Sequence, residues 1–287
     1  MKDYTLNLDT NHLSEIAKFP DTEGARCIRA LLAAGKAKLA ISTYHLLELA
    51  APEFQSVDKV RELLRSVPWV LLNPVENVQD EEIAVVVARA TGRVRRPPRV
   101  FATSTADWGY HVGPEGGGPV EMLGAISQLQ DMRRDFLKVA AYGAEASMMK
   151  TDAALISKPG LPIILAVERH LKEFRIRAPS YGEGLTASEI LDRSGGLAAL
   201  PMHEAHEQLV IQRLRQLDQK STGNDIFDEY IAAYAPYVTA TALDRRSFHR
   251  VKETRLSFVQ RVTRDLRKIP EILERVRVNE LVVSASA

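Results

Sequence analysis

Short apolar runs alternate with segments of helical spacing over the first 92 residues of this 287-residue chain. Tyr4–Leu8, Lys38–Ile41 and Trp69–Leu72 are brief, mostly apolar and flanked by turn or cap residues, which reads as three strands. Between and after them, apolar residues recur three and four positions apart. This predicts helices from near Asn11 to Pro20, over Asp21–Ala34, Tyr44–Ala50 and Val57–Leu64, and over Gln79–Ala90. Ser42 or Thr43 is suited to cap the third of these, and Gly35 to stop the second. Asp80, Glu81 and Glu82 suit the positive end of the fifth.

The pattern breaks at 93–120, where Arg93-Val-Arg-Arg-Pro-Pro-Arg99 and Glu115-Gly-Gly-Gly-Pro119 carry loop chemistry. From 121 to about 220 the chain reads as helical, with candidates at 121–150, 163–175, 186–194 and 203–220. Alternation returns at Asp225. Asp228, Ile231, Ala232 and Ala235 keep helical spacing, Pro236 ends that helix, and Tyr237–Thr241 reads as a fourth strand. A helical region follows over 246–276, and Asn279–Ser284 reads as a last edge strand. The simplest organisation is one α/β domain made from 1–92 and 222–287, interrupted by a mainly helical insertion at 93–221. Loop closure entropy grows only slowly with length, so such an insertion is tolerated.

Composition narrows the classes. With 45% hydrophobic residues the chain can bury a core, and 38 Lys+Arg against 37 Asp+Glu give no global charge favouring nucleic acid. The single Cys27 excludes an intramolecular disulfide and a Cys-rich zinc site, and its apolar surroundings read as core. The N-terminus shows no basic-then-apolar leader and no apolar run approaches the length of a membrane span. A cytoplasmic protein without a membrane partner is expected.

The acids give the chemistry. Asp9 ends the first strand, Glu48 follows the second, Asp225 and Asp228 open a helix, and Asp244 follows the fourth strand. In a parallel α/β sheet the carboxyl ends of strands share one crevice, so acids remote in sequence can converge there. Two carboxylates 4 Å apart repel by about 4 kcal/mol at an effective dielectric of about 20. Such a cluster must take up protons or bind a hard cation with oxygen ligands, Mg²⁺ or Mn²⁺.

The same residues carry a resemblance. Leu8-Asp9-Thr10-Asn11-His12-Leu13 resembles the opening motif of the PIN-domain nucleases, and Ile41-Ser42 with Glu48-Leu49 their second. Asn224-Asp225-Ile-Phe-Asp228-Glu-Tyr-Ile231-Ala232-Ala233 is similar to the third, and Thr241-Ala-Leu-Asp244-Arg245-Arg-Ser-Phe248 to the fourth. The resemblance covers the two end segments and implies a three-layer α/β/α fold with a central parallel sheet. It implies an endoribonuclease that cuts single-stranded RNA with Mg²⁺ or Mn²⁺. Asp9, Glu48, Asp228 and Asp244 would then be catalytic metal ligands, with Asp225 beside them. Asn11 would orient Asp9, while Ser42 and Thr241 would support the acids by hydrogen bonds. Some relatives are toxins of bacterial toxin–antitoxin pairs, which admits a protein regulator or antitoxin, and a homodimer, as partners. Two departures stand out: the long insertion separates Glu48 from Asp228, and Thr241 lies three residues before Asp244 where the family usually has two.

Other readings compete. Asp9 also reads as a helix cap, Asp225 as an N-cap, and Asp244 as a loop acid paired with arginine. A PIN-like scaffold that binds RNA or protein without cutting is the alternative to the enzyme. A phosphatase with Asp9 as nucleophile would want a second Asp where Asn11 stands. Arg95 and Arg96, with Arg245 and Arg246 at the head of a basic stretch, are the candidates for holding a phosphate backbone. That stretch sets eleven Lys and Arg against four acids between Arg245 and Arg277. A solvated helix surface explains it equally well. Trp108, Tyr110 and His111 are candidates for stacking on a base, in competition with core packing. His203 and His206 read as a solvated helix face rather than a metal site, because their spacing is three, not four.

Overall fold

The computed structural model describes residues 4–108, 117–139, 160–215, 223–254 and 256–285. The three expected N-terminal strands form as β1 (Tyr4–Leu8), β2 (Ala37–Ile41) and β3 (Trp69–Leu72). They are joined through α1 (Thr10–Lys18) and α2 (Glu23–Ala33), then through α3 (Thr43–Leu49) and α4 (Val57–Ser66). The helix α5 (Val75–Ala90) follows β3 and starts four residues earlier than its apolar spacing suggests. It precedes β4 (Phe101–Ala102).

The middle of the chain is helical where described: α6 (Pro119–Gly124), α7 (126–139), α8 (Leu161–Arg177), α9 (Ala187–Ser194) and α10 (Pro201–Arg215). The outer parts of the expected helices 121–150 and 203–220 lie outside the described residues. Then come α11 (Gly223–Ala232), β5 (Ala240–Ala242), α12 (Arg245–Thr254), β6 (Val262–Thr263) and α13 (Ile269–Ala285).

Among the described residues, one six-stranded sheet has the order β4-β3-β2-β1-β5-β6. All pairs are parallel except β3 with β4, so the sheet is mixed, not purely parallel as expected. Helix α1 contacts α2 and α4, and α5, α10, α11 and α12 form a second connected group with α3, which also touches α1. This is compatible with a three-layer α/β/α arrangement. The expected edge strand Asn279–Ser284 is instead the end of α13, and a basic stretch expected to be wholly helical contains β6. Two-residue strands carry no readable alternation, and the β-branched Val282-Val283 pair follows the helix already under way.

Central parallel strands are covered on both faces, which is why β2 is mostly apolar and why the buried Asn7 of β1 needs a hydrogen-bond partner. Leu6, Leu8, Leu39 and Ile41 are buried in the main core with Leu13, Ile28, Phe227 and Ile231. A second apolar cluster joins Ile83, Val86 and Val87 of α5 to Val167, Leu171 and Ile190. Helix α5 serves both cores, since Val75 and Val78 face the first. Buried Glu82 of α5 accepts from the backbone amides of Met202 (2.7 Å) and His203 (3.1 Å), from His203 Nδ1 (3.0 Å) and from the Tyr237 hydroxyl (2.5 Å). It thereby caps α10. His203 is buried and His206 partly so, which replaces the expectation of a solvated face. Cys27 is only partly buried. No helix among the described residues is long and apolar enough to cross a membrane.

Candidate functional site

The chain moves from β1 to β2 and β3 in one direction, and from β5 to β6 in the other. The connections leaving the adjacent strands β1 and β5 therefore diverge. A crevice at such a switch point, outside the carboxyl ends, is where open α/β sheets bind ligands. Asp9 stands at the end of β1, and Asp244 two residues beyond β5. The Asp9 amide donates to the Ala242 carbonyl at 2.9 Å, extending the Leu8–Ala242 register.

Both residues are helix caps. Asp9 Oδ1 accepts from the His12 amide at 2.8 Å, and Asp244 Oδ1 from the Ser247 amide at 2.6 Å. Capping uses one oxygen of each carboxylate. Asp9 Oδ2 is buried without a hydrogen-bond partner, although the Asp244 backbone nearby also favours the charged carboxylate. Asn11 is exposed on α1, and the group that holds Asp9 is the His12 amide.

Glu48 is 5% exposed, and its Oε2 also lacks a partner. Its helix is fixed to β1 by His45, a residue the sequence reading passed over. His45 Nδ1 accepts from the Ser42 amide at 3.1 Å and contacts Ser42 Oγ at 2.7 Å, leaving Nε2–H to donate to the Leu8 carbonyl at 3.0 Å. Burial pushes the His45 pKa down to about 4, consistent with that neutral tautomer. Ser42 thus acts on α3 through His45. Asp228 is held by α11, whose end is tied to β1 by Asn7 donating to the Ile231 carbonyl at 2.7 Å. Asn7 and His45 each had a signal: a polar side chain within an apolar run must find a partner. Thr241 is matched in register to Asn7, and its buried hydroxyl has no partner.

The electrostatics link the four acids. Burial raises the Glu48 pKa to about 7, with Asp9 and Asp244 adding to the rise and the Thr10 hydroxyl and Arg133 opposing it. Asp228 is pushed well up by burial and by Glu48, Asp244 and Asp9. Asp9 is raised by burial and further by Asp244, against the pull of His12. Each of the four therefore lies within electrostatic reach of others in the set.

The remaining sequence candidates separate from this cluster. Asp225 is bound by Arg246 Nη1 at 2.8 Å and Arg250 Nη2 at 3.2 Å, in a buried network that also joins Arg213 to Glu229 at 2.7 Å. This network ties α10, α11 and α12 together, with Arg246 as one of its members. Arg245 is exposed directly after Asp244. Arg95 lines a groove of about 290 Å³ with Val87, Thr91 and Tyr181, and Arg93 pairs with Glu183; Arg96 is exposed in the same loop. Trp108 is core, while Tyr110 and His111 lie outside the described residues.

The set fits a divalent cation by its donor chemistry: carboxylate oxygens only, two of them buried without partners. Among the described residues, no three His, Cys, Asp or Glu side chains already converge closely enough to hold a metal ion. One basic residue stands with the acids that the sequence reading did not single out, Arg133 of α7, within a stretch whose dense charges gave it no distinguishing mark. No protein-family model, curated protein or solved structure matches the chain.

Proposed function

We propose that this chain is a PIN-like, metal-dependent endoribonuclease acting on single-stranded RNA. The observation that carries the reading is the coupling of Asp9, Glu48, Asp228 and Asp244 at the switch point between β1 and β5. Four acids from distant parts of the chain, three of them raised by burial and mutual repulsion, are costly to the fold. That cost is explained if the cluster exists to receive cations.

Asp9, Glu48, Asp228 and Asp244 would hold Mg²⁺ or Mn²⁺. The ions would supply water activation and neutralise charge on the leaving oxygen. The chain's own residues do the rest. Asp9 and Asp244 are fixed by the helices they cap, so their free oxygens are aimed without further ordering. His45 sets the distance between α3, with Glu48, and the end of β1. Thr10 favours the charged form of Glu48. Arg245 stands exposed beside the crevice for backbone phosphates.

The test is cleavage of a labelled single-stranded RNA, with a matched DNA, in Mn²⁺, Mg²⁺ or EDTA. Metal-dependent cuts in the RNA, absent in EDTA, support the reading. A folded protein that binds the RNA and leaves it intact in every metal replaces it with the non-cutting PIN-like scaffold.

A further inference from the structure

Helix α7 packs against α3 and α11, and three contacts fix where. Phe136 packs on Phe227 with ring centres 5.3 Å apart, next to Asp228 in sequence. Phe136 also lies 5.8 Å from Tyr44, which is four residues from Glu48 and on the same side of α3. One turn before Phe136, the Arg133 guanidinium carbon sits 5.7 Å from the centre of the Phe227 ring. Arg133 and Phe136 therefore share the face of α7 that meets α3 and α11, and from it Arg133 acts electrostatically on Glu48.

The state of the Arg133 donors is unusual for a cation beside carboxylates. Its side chain is only 17% exposed, yet its nearest ion-pair contact is Glu53 at 3.8 Å, beyond hydrogen-bond length and to an exposed partner. Its Nε–H is buried without a hydrogen-bond partner. Leaving a buried charged donor unmade is expensive, and a group so left beside carboxylates points to a missing acceptor. A guanidinium presents a planar fork matched to two oxygens of a phosphate, and packing on Phe227 orders that plane in advance.

We infer that Arg133 binds the non-bridging oxygens of the phosphodiester on which the carboxylate crevice acts. This rests on the nuclease reading above and assigns to the middle segment of the chain a direct role at the substrate. Once cations neutralise the carboxylates, Arg133 is positioned to meet an anion. Charge that builds on phosphorus oxygens during displacement strengthens its hold. Its neighbour Arg134 is exposed and paired with Asp131 at 2.8 Å, which makes it the matched control.

The experiment compares wild type with Arg133→Ala, Arg133→Lys and Arg134→Ala. Three quantities are read: Mn²⁺-dependent cleavage of labelled single-stranded RNA, Mn²⁺ affinity by calorimetry, and RNA affinity at several salt concentrations with Ca²⁺, another cation that takes oxygen ligands, in place of Mn²⁺. The expected result for Arg133→Ala is a loss of about 10²–10³-fold in kcat. Mn²⁺ affinity should hold or rise, since a cation near Glu48 is removed. The slope of log affinity against log salt should fall by about 0.7, one phosphate contact to a single strand. Added guanidinium should restore part of the lost rate, Arg133→Lys should fall between, and Arg134→Ala should match wild type. Active wild type with equal rates in Arg133→Ala overturns the Arg133 inference alone. Loss of Mn²⁺ binding in Arg133→Ala together with a lowered melting temperature overturns it too, in favour of packing. No cleavage by wild type in any metal overturns the nuclease reading, and the Arg133 inference with it.

Discussion

The backbone amide of Asp9 donates to the carbonyl of Ala242 across 2.9 Å, joining residues from opposite ends of the chain. That single bond places the Asp9 and Asp244 turns side by side, each carboxylate spending one oxygen on a helix cap. A prediction follows for stability in chelator. Asp9→Ala removes the cap and should cost about 1 kcal/mol. Asp9→Asn keeps a good capping acceptor and removes a buried charge, so its melting temperature should equal or exceed that of wild type. Equal destabilisation of both variants would show that the Asp9 charge, not its cap, holds this end of the sheet.

Glu48 gives a pH prediction whose sign can be worked out. Its pKa is raised from 4.5 to about 7, chiefly by burial. Between those values the folded state binds more protons than the unfolded chain, so its contribution makes stability fall as pH rises through the window. Glu48→Gln cannot titrate. In chelator its stability relative to wild type should grow from about pH 4.5 and level off above about pH 7, by on the order of 3 kcal/mol. Denaturant titrations of both proteins across that range check it. A constant difference would mean that Glu48 ionises freely in the fold.

Asp225 tests the separation of structure from site. It is buried against Arg246 and Arg250, the latter 2% exposed. Asp225→Ala should destabilise by about 3–5 kcal/mol, because charge on the arginine side loses its carboxylate. The folded protein should keep the Mn²⁺ affinity of wild type. A large loss of affinity with an unchanged melting temperature would return Asp225 to the metal site.

Much of the sheet was legible because β1, β2 and β3 are short, mostly apolar segments whose later residues are buried. Asp9, Glu48 and Asp244 were legible because they follow such runs. Asp225 and Asp228 looked alike, three apart on one helix, and only tertiary packing tells them apart: Arg250 reaches the first from α12, while the second is coupled to Glu48. Strands β4 and β6 are two residues long and owe their form to their neighbours. Arg133 was hidden for a different reason. Nothing in a charged, amphipathic helix marks which arginine faces a crevice built by segments about ninety residues away on either side.

Whether the four acids receive a divalent cation is decided by Mn²⁺ calorimetry. Near about pH 6, Glu48 still carries its proton in much of the folded population. Binding should therefore release protons, seen as an enthalpy that varies with the ionisation heat of the buffer. The account predicts saturable binding with proton release in wild type, and loss of that binding in Asp9→Asn and Asp228→Asn at unchanged fold. Absence of saturable Mn²⁺ binding to the folded wild-type protein, or equal binding in both variants, would contradict it.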